Sequence, residues 1–155
     1  MKKIFTFLTT VLLSYVVVLV SCSTSASITP INMTAAGVAI KGYDSVAYFT
    51  RERAVAGQED LQYKWRGARW LFASREHLEM FQENPDAYAP QYGGYCAYAV
   101  SQGTTADIDP ESWAIVDGKL YLNLNPDVQK LWQRNREEYI READDNWPRL
   151  MKQGS

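Results

Sequence analysis

Trp113-Ala114-Ile115-Val116-Asp117-Gly118-Lys119-Leu120-Tyr121-Leu122-Asn123-Leu124-Asn125-Pro126-Asp127 holds one complete hairpin and the start of the helix that follows it. Asp117-Gly118 separates two runs rich in apolar and aromatic residues, and both turn positions tolerate the positive φ of a tight hairpin turn. Immediately afterwards Asn125 offers a capping side chain, Pro126 suits the first helical position, and Asp127 places an acid in the first turn. A long helix is predicted from there. Val128, Leu131, Trp132, Tyr139, Ile140, Ala143 and Trp147 recur every three or four residues, so one stripe faces a core, and Pro148 is expected to end the helix.

Upstream the same grammar repeats. Leu61 to Trp65 and Ala68 to Phe72 flank Arg66-Gly67, a second hairpin rich in aromatic residues. Ser74 caps a helix through about Asn84, with Leu78 and Phe81 on its apolar face and Pro85 enforcing its end. Asp44, at the end of Gly42-Tyr43-Asp44, is placed to cap a short helical turn over Ser45 to Phe49, with a short strand as the alternative. The fold class is therefore α+β: a small antiparallel sheet from hairpins, packed with helices and closed by a long C-terminal helix. No internal repeat or long linker interrupts it, and residues 31 to 155 read as a single domain of ordinary size.

The N-terminus has a different character. Met1-Lys2-Lys3 precedes a largely apolar run from Ile4 to Val20, the layout of a signal peptide over residues 1 to 21. A membrane-spanning helix is the alternative, but the run falls short of the roughly 20 apolar residues a bilayer requires. Leu19-Val20-Ser21-Cys22 resembles a bacterial lipobox, which makes Cys22 the lipidated residue and Ser23 to Ser27 the core of a flexible tether over residues 22 to 30. The expected location is the cell envelope, on the periplasmic side in a Gram-negative host. Loss of Lys2 and Lys3 leaves fourteen basic residues against eighteen acids, a net charge near −4, and nothing points to nucleic acid. With Cys22 lipidated, Cys96 is the only other cysteine, so no intramolecular disulfide forms.

Several of these segments resemble one family. Gly42-Tyr43-Asp44-Ser45-Val46-Ala47-Tyr48-Phe49, Trp70-Leu71-Phe72-Ala73-Ser74, Tyr88-Ala89-Pro90-Gln91-Tyr92-Gly93-Gly94-Tyr95-Cys96-Ala97 and Ala143-Asp144-Asp145-Asn146-Trp147-Pro148 are similar to exported proteins of the YHS-domain family. The resemblance implies a small binding module, because relatives attached to heavy-metal transporters are proposed to hold soft metals through cysteines. Set on that pattern, the cysteine positions fall on Ala47, Ala73 and His77, of which only His77 could coordinate a metal. A copper or zinc site would then use His77 and Cys96, completed by Asp44 or a tyrosine.

Against each candidate stands a plainer role. His77 on a helix is commonly solvated or hydrogen-bonded, Cys96 is commonly a small buried apolar residue, and Asp44 serves as a cap. Gly93 and Gly94 permit a backbone or a ligand to approach Cys96 closely. Tyr43, Asp44, Gly93, Gly94 and Cys96 form the ligand-binding set. Tyr88, Tyr92, Tyr95 and Tyr98 suit core packing better than a stacking platform, and Asp107, Asp109 and Glu111 lack the spacing of a calcium loop. Three functions follow: a membrane-anchored ligand- or metal-ion-binding module without catalysis, a structural lipoprotein that binds an envelope protein partner, or a thiol-dependent redox protein using Cys96.

Overall fold

The computed structural model describes residues 28–153, so the signal peptide, Cys22 and most of the tether lie outside the described residues. The chain is α+β, with six helices and two separate two-stranded antiparallel sheets. The two hairpins form separate sheets rather than one, with single bridges from Val38 to Arg69 and from Cys96 to Leu122, and helices pack against both.

After a tight turn at Ile40–Gly42 come α1 (Ala47–Thr50), β1 (Gln58–Trp65), β2 (Ala68–Phe72), α2 (Arg75–Glu83) and α3 (Pro85–Tyr88). Arg66 and Gly67 both take positive φ, which lets Trp65 pair with Ala68 and Tyr63 with Trp70. The Ser74 hydroxyl caps α2 by accepting from the His77 amide at 3.2 Å, and Asn84 and Pro85 stop it and start α3. Trp70, Phe72, Leu78 and Phe81 of this half pack in one core with Ile108, Leu120 and Leu122 from further along the chain, and Trp70 and Phe81 stack at 5.1 Å.

The second half comprises a turn at Gln91–Gly94, α4 (Ala97–Ser101), β3 (Asp109–Val116), β4 (Lys119–Asn123), α5 (Pro126–Arg134) and α6 (Arg136–Gln153). Asn125 caps α5 by accepting from the Val128 amide at 2.9 Å. The long helix foreseen from Pro126 is broken at Asn135, whose extended φ of −144° cannot continue it. Asn135 instead accepts from the Tyr139 amide and begins α6. Pro148 lies inside α6 rather than ending it. Proline has no N–H to donate, so the Asp144 carbonyl loses its helical partner at that turn.

Tyr92, Ala97, Val100, Tyr121, Trp132, Ala143 and Leu150 form the second core. Asn146 binds α6 to α4 by donating to the Val100 and Ser101 carbonyls at 3.1 and 2.9 Å, which satisfies the orphan end of the shorter helix. The Tyr48 hydroxyl donates to the Pro110 carbonyl at 3.0 Å and joins the two halves. Ile28, Thr29 and Pro30, assigned to the tether by composition, belong to the fold. Ile28 packs on the second core, and the Thr29 hydroxyl lies 3.0 Å from that of Tyr95. Among the described residues no helix is long and apolar enough to cross a membrane.

Candidate functional site

Asp44 is fully buried, and its carboxylate receives four donors. One oxygen accepts from the Val46 and Ala47 amides at 2.9 and 3.2 Å, capping α1. The other accepts from the Ala73 amide at 2.8 Å and lies 2.5 Å from Nδ1 of His77. With every lone pair engaged in accepting, Nδ1 is the donor of that last bond. Nε2 of His77 lies 3.0 Å from the Thr50 hydroxyl, which itself donates to the Val46 carbonyl at 3.1 Å. The expected cap is therefore real, and it is also the point where α1, the end of β2 and α2 are fastened together.

This geometry does not fit the copper or zinc ion implied by the resemblance. Both ring nitrogens of His77 are engaged, His77 is only 4% exposed, and its partners differ from those of Cys96. Among the described residues no group of three or more His, Cys, Asp or Glu is placed to hold a metal. The series Asp44, His77, Thr50 has the connectivity of a carboxylate–imidazole–hydroxyl relay. Thr50 does not line the groove between the β1–β2 turn and α6, however.

Cys96 is 1% exposed, with Sγ directed at the side-chain oxygen of Asn123 at 3.8 Å. Burial raises its pKa and disfavours the reactive thiolate. The neighbouring glycines answer to the protein itself. A Cβ on Gly93 would lie 2.0 Å from the Pro30 carbonyl oxygen, and one on Gly94 would lie 2.6 Å from the Ile40 side chain. Tyr43 is half-buried and bridges to Ala56 through its backbone. Asp44, Tyr43, Gly94 and Cys96 thus lie off the groove, and of the ligand-binding set only Gly93 touches it. The four tyrosines do not form one platform: Tyr88 meets Phe49, Tyr92 meets Tyr121, Tyr95 meets Trp147 and Tyr98 meets Tyr139.

The groove has a volume of about 500 Å³. One wall is the turn after β1, Trp65 and Arg66, with Asp86 and Ala89 from α3 and the loop after it. The opposite wall is α6, through Asp144, Trp147, Pro148 and Met151. Pro90, Gln91, Tyr92 and Gly93 form the floor, Lys119 stands at the start of β4, and Pro30 and Ile31 close one side. Tyr92 holds a left-handed φ of 55°, a strained conformation for a bulky residue. Its hydroxyl donates to Asp144 at 2.9 Å, and burial, with Asp144 beside it, raises its pKa. Burial and the charges of Asp144 and Asp117 push Tyr121, beneath it, up to about 12.

Comparison of the chain with protein-family models, with curated proteins and with solved structures finds no match among any of them. The groove residues come from segments remote in sequence, and none was singled out by local pattern as a ligand contact except Gly93. By local pattern Trp147 belongs to the core stripe and Pro148 to a helix end, so neither marks this wall.

Removing the Asp44 carboxylate leaves three amides and an imidazole without their acceptor. Asp44→Ala should lower the stability to urea by about 3–5 kcal/mol, and His77→Ala should lower it by less, because the amide bonds to Asp44 survive. Equal losses in the two variants would show that the imidazole contact, and not the amide bonds, carries the junction.

Proposed function

We propose that this chain is a binding module for a small ligand, without catalytic activity, held at the cell envelope by a lipid on Cys22. The observation that carries the binding reading is the groove of about 500 Å³, which falls in the size range of small-ligand sites and combines aromatic walls with a few convergent polar groups. The YHS-like pattern, the signal-peptide layout and the lipobox-like Ser21-Cys22 support export and anchoring, with the domain on the periplasmic side in a host with an outer membrane.

The competing readings lack a comparable feature. A redox thiol needs access and a lowered pKa, and Cys96 has neither. A partner-binding surface of the usual apolar kind needs a contiguous exposed patch, whereas Met33 and Leu124 are the exposed large hydrophobic residues among those described.

Two measurements test the proposal. Cys22→Ser should abolish incorporation of labelled palmitate, and retained labelling would remove the anchor. Fragment screening by NMR on the full chain should shift the indole signals of Trp65 and Trp147, with Lys119→Ala and Gln91→Ala weakening those hits while the spectrum stays folded. Hits that leave both indoles unmoved would contradict the groove as the site.

A further inference from the structure

Resting on the groove reading, we propose that its ligand is a saccharide bearing a carboxylate. A sugar ring has an apolar C–H face and a rim of hydroxyls, each of which donates and accepts at once, so its site needs flat apolar surface beside fixed donors and acceptors. The groove supplies both. Trp147, Pro90 and Pro148 give the apolar surface, and Arg66 and Asp144 are each bonded to a neighbour before any ligand arrives.

Arg66 is fixed by Asp86 at 2.9 Å and by the Trp65 ring, whose centroid lies 4.2 Å from its guanidinium carbon. One guanidinium nitrogen makes that bond, which leaves further N–H donors of the fork available. Asp144 accepts from the Tyr92 hydroxyl at 2.9 Å through one oxygen, and its second oxygen makes no hydrogen bond or ion pair among the described residues. The Asp144 backbone carbonyl, deprived of its helical donor by Pro148, adds an acceptor on the same wall. Groups held this way lose little rotamer freedom on binding, and a hydrocarbon acid would leave them unpaired.

Charge sets the second half of the assignment. Arg66 is neutralised by Asp86, whereas Lys119 has no carboxylate within ion-pair distance among the described residues. Asp144 repels an anion from the α6 wall, so the carboxylate belongs at Lys119 and the hydroxyls at Asp144 and Arg66. A volume of about 500 Å³ accommodates roughly one or two sugar rings.

The test uses the full chain in a detergent without a sugar headgroup, titrated by NMR with a glucuronate-containing disaccharide, cellobiose, benzoate and a proline-rich peptide. The uronate disaccharide should shift the Trp147 indole and bind about fivefold more tightly than cellobiose, a margin that Lys119→Ala should erase. Trp147→Ala should lose both sugars, and Gln91→Ala, which disturbs no packed ring, guards against a folding defect by weakening them in a fully folded chain. Binding of benzoate or the peptide at the groove without either sugar would overturn the saccharide and leave the groove reading standing. Silence from every probe, beside fragment hits at Trp65 and Trp147, would overturn the saccharide alone; silence in both screens would overturn the site as well.

Discussion

The Asp44 carboxylate is the constraint on which the first half of the molecule depends. A buried carboxylate is tolerable only when its lone pairs are used, and this one is surrounded by three amides and an imidazole from three separate elements. Because α1, the end of β2 and α2 must all present donors to the same two oxygens, their relative positions have little freedom. The Trp70, Phe72 and Phe81 core then forms beside a frame that is already set. The second half has no such charge and is held by ring packing and by the Asn146 bonds to α4. The groove lies where the hairpin turn of the first half approaches α6 of the second, so it inherits its shape from both.

That arrangement separates residues with ligating or nucleophilic side chains from residues with access. Asp44, His77 and Cys96 are the groups a chemist would choose first, and all three are buried and engaged by the protein's own groups. Access belongs instead to Arg66, Gln91, Lys119, Asp144 and Trp147, residue types common on any surface. Strain points the same way. The left-handed backbone at Tyr92 is held in place by the Pro30 segment packed on Gly93 and by Ile40 packed on Gly94, and its ring and hydroxyl serve the groove floor.

The legible parts of the fold were the local ones. Arg66-Gly67 and Asp117-Gly118 specify their turns, and Ser74 and Asn125 specify their helix starts, because each acts through bonds to residues a few positions away. The α+β class follows from those elements. The separation into two sheets was not legible, since which strands pair across long distances is decided by the packing of α1, α2 and α4. Nor was the break at Asn135, where an apolar stripe continues unbroken past a residue that switches from ending one helix to capping the next. Asp44 was readable as a cap, but its bond to His77 spans 33 positions and leaves no mark in local pattern. The groove was the least legible feature, being assembled from segments between Pro30 and Met151.

The most direct test of the claim that this histidine and carboxylate are structural is the imidazole ¹⁵N spectrum of His77 in the intact chain, recorded as zinc is added. The account predicts that the Nδ1 and Nε2 signals stay where their bonds to Asp44 and Thr50 place them while zinc reaches and passes one equivalent. A stoichiometric shift of either nitrogen would show that the ring is available to a metal, and would contradict the reading of Asp44 and His77 as the fastening point of the fold.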